Sequence, residues 1–309
     1  MKNTLVKTYL KKYFTICEVR KRLNEKTLKA YRIDLNQFFS FMKDDLEDIK
    51  RINDYITELN QNYPKPKTVK RKIASIKAFY AYLEYEEIIE VSPFRKIRTS
   101  FREPLLLPKT IPSKYISEIF ECIYLDIEKA ETSYQKKNSI RNAAIIELLF
   151  ATGIRISELC NIKIEDIDFN EKTLKIFGKG SKERMLYLGN EEVIQILQRY
   201  KDINLDATHE SGSFFMNKFK EKLSEQSVRI LLINLERRIG SNIHITPHMF
   251  RHTFATKLLE KDVDIRYIQK ILGHSSISIT QIYTHVTSSK QKEILTLKNP
   301  RNDFSMIQK

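Results

Sequence analysis

Glycine and proline are scarce in this sequence of 309 residues, which holds 7 and 8 of them. Collagen-like chains and all-β folds with many turns need far more of both, so these classes are excluded. Cys17, Cys122 and Cys160 lie far apart and match neither a disulfide framework nor a C-x-x-C zinc pattern. We therefore predict a reduced, cytoplasmic protein.

Long apolar runs are also missing. Lysines interrupt the apolar residues near the N-terminus, so no signal-peptide core is recognisable. A membrane-spanning helix needs about 18 or more consecutive apolar residues, and the sequence has no such run. We expect neither secretion nor a membrane partner. A P-loop for nucleotide phosphates is absent as well.

Basic residues outnumber acidic ones by 54 to 39, which gives a formal charge of +15. Hydrophobic residues make up 41% of the chain, enough for buried cores, and the length predicts two domains. The positive charge predicts a polyanionic partner, with nucleic acid as the leading class. A basic surface that only aids solubility is the alternative.

Residues 1–94 show apolar positions at helical spacing, which predicts a run of amphipathic helices. Pro64 and Pro66 interrupt the pattern, and Thr68 is predicted to cap the next helix. Basic side chains in the first turns of that helix oppose its dipole, and contact with DNA phosphates would explain them. A solvated basic face is the alternative. These predicted DNA-binding residues are Lys67, Lys70, Arg71, Lys72 and Lys77.

Residues 92–112 contain four prolines and five basic residues, a composition typical of an extended basic linker. Arg95, Lys96 and Arg98 complete the predicted DNA-binding set. We predict a helical domain over 1–98, a linker over 99–112, and a second domain over 113–309 with a tail from about 287.

The second domain is predicted to be mainly α with a small β-hairpin or sheet. Ser113 is predicted to cap its first helix, and residues 128–138 are interpreted as a loop or a frayed helix end. Residues 140–159 form an apolar helical segment that Thr152-Gly153 interrupts. Residues 172–188 alternate in polarity around Gly178-Lys179-Gly180-Ser181, which predicts a hairpin.

Thr246 and Pro247 open a helix on which His248 and Arg251 share one face near the N-terminus. Backbone N–H groups, a guanidinium and an imidazole together suit a phosphodiester, whereas a simple surface pair is the alternative. His248 and His252 have the spacing of a metal pair, but the H-E-x-x-H pattern fails at position 249. No metal or other cofactor is therefore predicted.

Arg155 lies in an apolar helical segment and needs an anionic partner or an aqueous exit. The partner is either a substrate phosphate or Glu158 three residues later, and snorkelling of the side chain to the surface is the other alternative. Lys179, between two glycines, can carry an ammonium group to a ligand, although a polar turn is the commoner reading. Tyr283 follows His274 after a short interval, and a lone tyrosine there is most often a core or interface residue.

These motifs are more informative as an ordered set than one by one. The run TPHMFRHTFATKLLEKDVDIRYIQKILGHSSISITQIYTHV, with ATGIRISELCNI and GKGSKER upstream, closely resembles the catalytic domain of the tyrosine recombinases, also called the phage integrase family. The resemblance is strongest to the bacterial Xer-type recombinases and spans roughly residues 113–286. The helical first half resembles the family's core-binding domain, which implies a two-domain clamp around DNA.

The resemblance assigns the phosphate-binding positions residue by residue. Arg155 and Arg251 match the two catalytic arginines that hold the nonbridging oxygens of the scissile phosphate. His248 matches the first catalytic histidine, and His274 the position held by His or Trp. No metal ion or ATP is implied.

The resemblance also assigns the groups that exchange bonds. Tyr283 matches the nucleophile, which forms a 3′-phosphotyrosyl bond and releases a 5′ hydroxyl. Lys179 matches the general acid toward the leaving oxygen, with Lys182 as a nearby alternative. The implied activity is site-specific recombination, in integration, excision, inversion or chromosome dimer resolution. The alternative hypotheses are a type IB topoisomerase and a non-catalytic architectural protein.

The family also implies partners. Four protomers join two double-stranded DNA sites in a tetrameric synapse, and a second recombinase or an accessory protein is a further candidate partner. The tail offers Ile294, Leu295 and Leu297 as a short apolar stripe. It packs either on a neighbouring subunit or on its own domain.

Overall fold

The computed structural model describes residues 3–42, 47–97, 99, 109–178, 183–204, 212–273 and 288–304. The chain divides into two compact units, Met1–Leu106 and Leu107–Lys309. Most of the predicted linker, from residue 100 to 108, lies outside the described residues. Within the described ranges, no helix has the length and apolar character needed to cross a lipid bilayer.

The first unit is helical, as its apolar spacing predicted. Its helices are α1 (Asn3–Val19), α2 (Glu25–Met42), α3 (Ile49–Asn62) and α4 (Pro66–Tyr85), followed by a 3₁₀ turn at Pro93–Arg95. Aromatic rings dominate the core: Phe38 meets Tyr55 and Tyr80 edge to face, with ring centroids 5.2 and 5.9 Å apart. Such pairs add to the stability that burial of the rings provides.

The start of α4 differs from the prediction. Pro66 occupies the first turn and Lys65 precedes it as the cap residue, so Thr68 lies inside the helix and does not cap it. Proline suits this position because its missing N–H would lack an intrahelical partner anyway.

The second unit is also mainly helical. Its helices are α5 (Ser113–Glu128), α6 (Ser133–Thr152), α7 (Ile156–Cys160), α8 (Glu191–Asp202), α9 (Glu225–Arg238), α10 (Pro247–Glu260), α11 (Ile265–Leu272) and α12 (Ser288–Leu297), with 3₁₀ turns at Ile164–Asp166 and Pro300–Asp303. Helix α6 is central, since every residue from 143 to 152 is buried. It packs against α5, α8 and α10.

Two predicted helix starts in this unit are wrong. Helix α6 begins at Ser133, inside the stretch interpreted as loop, because Thr132 and Gln135 form a reciprocal capping box. Pro112, and not Ser113, is the residue before α5. The predicted break after Thr152 is confirmed: Gly153 ends α6 in the left-handed conformation, with φ +61°.

A three-stranded antiparallel sheet packs beside these helices in the order β1 (Ile167–Asp168), β2 (Thr173–Phe177), β3 (Glu183–Tyr187). The predicted hairpin corresponds to β2 and β3, and β1 is an additional short strand. Ile176 pairs with Arg184 and Leu174 with Leu186. Leu174, Ile176 and Leu186 are buried, so this face of the sheet belongs to the core.

The C-terminal tail packs on its own unit. Ile294 and Leu295 of α12 are buried, and the helix lies against β3. Beyond it, the fully buried Arg301 donates hydrogen bonds to both carboxylate oxygens of Glu147 in α6. Glu192 is a further ion-pair partner of Arg301. Of the two predicted alternatives, the structure therefore shows the packing on the same chain.

Candidate active site

Helix α10 carries the predicted His248 and Arg251. Thr246 caps the helix, as predicted, and its side chain accepts a hydrogen bond from the N–H of Met249 at 3.3 Å. His248 is exposed at the first turn, whereas Arg251 is 4% exposed. The helix thus places an imidazole at the surface one turn from a buried guanidinium.

Arg251 joins the ends of two helices. One of its Nη atoms donates to the carbonyl of Gly153, after α6, at 2.9 Å, and the other donates to the carbonyl of Leu272, at the end of α11, at 2.7 Å. Burial, aided by the nearby positive charge of Arg155, lowers the pKa of Arg251 to about 10. The guanidinium is therefore still charged at neutral pH. An additional anion beside it would stabilise this buried charge.

Arg155 reaches the same helix end from the loop between α6 and α7. Its Nη2 donates to the carbonyl of Gly273 at 3.3 Å, next to the carbonyl that Arg251 binds. Its Nη1 donates to Glu158 at 2.7 Å, and a third of the side chain remains exposed. The C-terminal end of a helix attracts cations, which explains why both guanidiniums lie at the end of α11.

Glu158 is the anionic partner that sequence reasoning offered as an alternative to substrate phosphate. It binds Arg155 through both the side chain and the backbone N–H, which donates at 2.9 Å. Burial raises the pKa of Glu158, but hydrogen bonds from Arg184 and Arg155 outweigh that effect and hold the pKa below its ordinary value. The carboxylate is therefore ionised at neutral pH and fixes Arg155 in place.

Arg184 received no role from the sequence, although it belongs to the GKGSKER motif. Its guanidinium makes two bonds to Glu158, at 3.0 and 2.8 Å, and a third to the carbonyl of Ile271 at 2.9 Å. The alternation of side chains along the strand could have indicated that Arg184 faces the core, because Arg184 and the buried Leu186 lie on the same face of β3. A cation on the core-facing side of a strand requires partners.

His252 lies one turn after His248 and is half-buried. Burial lowers the pKa of His252, and the neighbouring His248 and Arg251 lower it further. The imidazole is therefore neutral at physiological pH.

Three predicted catalytic residues lie outside the described residues: Lys179, His274 and Tyr283. In the chain, Lys179 belongs to the segment that joins β2 to β3, and His274 follows Gly273 directly. Of the six predicted catalytic positions, the structure describes Arg155, His248 and Arg251, and it brings the two arginines to one helix end.

The predicted DNA-binding residues of α4 occupy different environments. Lys67, Lys70 and Arg71 are exposed, and Arg71 is ion-paired with Asp34. Lys72 is only 3% exposed and its ammonium donates to Asp34 and Gln37. The prediction that Lys72 contacts DNA does not fit this placement, because its charge is already neutralised in the core.

The remaining predicted DNA-binding residues lie in the middle of α4 or after its end. Lys77 is half-buried and its ammonium donates to the hydroxyl of Thr99 at 2.5 Å. Lys96 is exposed, as is Arg95, which is ion-paired with Glu84 at 2.9 Å. Arg98 lies outside the described residues.

Comparison with known proteins agrees with this fold. Residues 125–290 match the phage integrase family, and residues 10–87 match the family's N-terminal SAM-like domain. A tyrosine recombinase of Agathobacter rectalis is 52% identical over 97% of this chain and 98% of its own length. Tyrosine recombinase XerC of Leptospira interrogans is 33% identical, over 94% of this chain and 92% of its own.

Solved structures show the same architecture. XerH site-specific recombinase in a post-cleavage complex superposes with a TM-score of 0.70 at 20% identity, over 92% of this chain and 83% of that one. A lambda integrase dimer on a core site gives a TM-score of 0.68 at 18% identity, over 91% and 98% of the two chains.

The fold and the site together define a class of protein: a basic enzyme of two helical units that acts on the phosphodiester backbone of DNA. The chain belongs to the phage integrase family, the tyrosine recombinases. Its activity is the breaking and rejoining of DNA in site-specific recombination.

Proposed function

We propose that Arg155 and Arg251 bind the scissile phosphate between them. The observation that carries this proposal is the convergence of both guanidiniums on the adjacent carbonyls of Leu272 and Gly273. Phosphoryl transfer adds negative charge to the nonbridging oxygens, and two fixed guanidiniums stabilise that charge without a reorganisation of the site. His248, exposed on the same helix as Arg251, assists at the same phosphate, with His274 as the second imidazole.

Tyr283 is the nucleophile in this proposal. Its phenolic oxygen attacks the phosphorus, a 3′-phosphotyrosyl bond forms, and the bond to the 5′ oxygen breaks. Lys179 donates the proton that the leaving 5′ oxygen takes up. An ordinary phenol has a pKa near 10, so the surrounding cations must favour its phenolate. Attack by a second 5′ hydroxyl reverses the step, so rejoining needs no ATP.

The partner is double-stranded DNA carrying a recombination site, and the protein acts on it in the cytoplasm. Its phosphates are contacted by Lys67, Lys70, Arg71, Lys77 and the basic residues after α4. Tetramer assembly on two sites is supported by the lambda integrase relative, whose structure is a tetramer bound to a Holliday junction.

The test incubates the protein, in EDTA, with nicked duplexes tiled from the DNA that flanks its gene. We expect a covalent protein–DNA adduct that survives denaturation with wild type. Tyr283→Phe should bind the same duplex but form no adduct, because phenylalanine has no hydroxyl to attack the phosphorus.

The outcomes separate the candidate activities. An adduct that Tyr283→Phe still forms would contradict the assignment of the nucleophile. Relaxation of supercoiled DNA without joining of two sites would indicate a topoisomerase. Binding without any adduct on the tiled duplexes would indicate a distant site or a missing partner, and only failure with those supplied would favour an architectural protein.

A further inference from the structure

Arg184 occupies an unusual position for a charged residue. It is the second residue of β3, its side chain is only 13% exposed, and it lies on the core side of the sheet. Its Nε donates to the carbonyl of Ile271 at 2.9 Å, in the last turn of α11. One side chain therefore ties the hairpin to the helix end at which Arg155 and Arg251 converge.

The same guanidinium also determines how Arg155 is held. Arg184 makes two hydrogen bonds to Glu158, one to each carboxylate oxygen, at 3.0 and 2.8 Å. Arg155 shares that carboxylate at 2.7 Å. The flat guanidinium of Arg184 thus fixes the orientation of the carboxylate, and the carboxylate fixes Arg155.

Gly273 gives independent support for this arrangement. Its φ is +65°, and a Cβ at this position would lie 3.0 Å from Nη1 and 3.2 Å from Cζ of Arg184. The backbone at the end of α11 therefore packs closely on the guanidinium, and a side chain at position 273 would press against it.

We propose that Arg184 is a positioning residue for the cleavage step. It locks β3, Glu158 and the end of α11 into one arrangement, so that Arg155 meets the scissile phosphate in the reactive orientation. Each of its three guanidinium nitrogens donates to a protein group, so we expect it to act through Arg155 and not through its own contact with DNA. This inference rests on the proposed role of Arg155 at the phosphate.

The test compares Arg184→Gln, Arg184→Lys, Arg155→Ala and the double variant Arg155→Ala/Arg184→Gln. The measurement is the single-turnover rate of adduct formation on the nicked duplex with enzyme in excess, alongside DNA affinity and thermal unfolding. We expect Arg184→Gln to slow cleavage by about 10- to 100-fold with DNA affinity unchanged. Arg184→Lys should recover part of the rate, because a lysine makes one ion pair but not the fork.

The double variant is the decisive arm. If Arg184 acts only through Arg155, the double variant should cleave no more slowly than Arg155→Ala alone. Multiplied losses would instead show a direct role of Arg184 at the phosphate. An unchanged rate in Arg184→Gln would also overturn the proposal. If Arg184→Gln does not fold, Arg184→Lys takes its place in the double variant, with the same two readings.

Arg238→Gln is the matched control. Arg238 makes the same two-pronged contact to a carboxylate, Asp126, at 2.7 and 2.6 Å, but on the surface between α9 and α5. Its loss should leave the cleavage rate unchanged. Failure of wild type to form an adduct, or an adduct that survives Tyr283→Phe, would contradict the proposed function itself. A wild-type adduct lost in Tyr283→Phe, with full activity in Arg184→Gln, would contradict only the role of Arg184.

Discussion

Arg251 is a buried cation that the fold holds with carbonyl groups and not with a carboxylate. Its two hydrogen bonds, to Gly153 and Leu272, end on different helices and use different arms of the guanidinium. A neutral carbonyl leaves the charge uncompensated, which suits a residue that must receive a phosphate. Arg301, by contrast, is neutralised by Glu147 and Glu192, so its charge serves to hold the fold together.

We expect Arg251→Lys to slow cleavage by about 100-fold or more at unchanged DNA affinity. A lysine ammonium is a point charge that cannot span both carbonyls and also present a fork to the phosphate. The measurement is the single-turnover rate of adduct formation, with binding followed by anisotropy. A rate within twofold of wild type would show that the fork geometry is dispensable.

Glu158→Gln tests the carboxylate shared by Arg155 and Arg184. Removal of one partner from a buried ion pair leaves uncompensated charge, so we expect a loss of about 3 kcal/mol in the free energy of unfolding at neutral pH. The pKa of Glu158 is lowered in the folded state, so its contribution is present above the ordinary value of 4.5. That contribution is lost as the pH falls through the lowered folded-state pKa.

The measurement is urea unfolding of wild type and Glu158→Gln across this pH range. The stability difference between them should be constant near neutral pH and shrink below about pH 4.5. A difference that grows on acidification would mean that the pKa of Glu158 is raised on folding.

At the scale of elements, the ends of the helices determine the geometry of the site. Gly153 ends α6, Gly273 ends α11, and both adopt positive φ, which lets the chain turn where the arginines bind. A Cβ on Gly153 would lie 2.6 Å from Cδ1 of Phe254 in α10, so glycine is required there for packing as well. The 3₁₀ turn after α12 then fastens the tail to α6.

Arg301→Gln should loosen that attachment. It leaves Glu147, which is fully buried, without its main partner, and we expect a loss of about 3 to 5 kcal/mol in the free energy of unfolding. Urea unfolding measures this loss. Arg238→Gln, which breaks a half-exposed pair, should cost only about 0.5 kcal/mol. Similar losses in the two variants would contradict the structural role of Arg301.

At the scale of the whole molecule, the formal charge of +15 controls how the protein meets DNA. Each phosphate contact releases counterions, so affinity should fall steeply as salt increases. Burial separates the basic residues of α4 into two kinds. Lys67 and Lys70 are exposed to solvent, whereas Lys72 is enclosed with Asp34.

We expect the double variant Lys67→Gln/Lys70→Gln to reduce the slope of log affinity against log salt by about 1.8, because each lost phosphate contact removes about 0.9. Titrations at several salt concentrations measure the slope. Lys72→Gln should leave the slope unchanged and lower the stability of the first unit instead. An unchanged slope in the double variant would place the DNA elsewhere.

The sequence alone determined the helical character of both units, the β-hairpin, the break after Thr152 and the membership of the family. These features follow from local information: apolar spacing, turn residues and motifs whose order is specific. The start of α6 was missed although the Thr132–Gln135 capping box is a local signal, because it lies inside a polar stretch that was interpreted as a loop. Strand β1, with two residues, is too short to show alternation.

Only the tertiary structure decided which cations are exposed to solvent and which are enclosed in the fold. Lys70 and Lys72 are neighbours in one basic run, yet only Lys72 is enclosed by α2, which is distant in sequence. Arg184 is brought to the carboxylate that Arg155 binds locally, and Arg251 to the same helix end, by long-range packing of α6, β3, α10 and α11. Sequence periodicity states which face of an element is buried, but the partner of a buried charge depends on what that face meets in the folded chain.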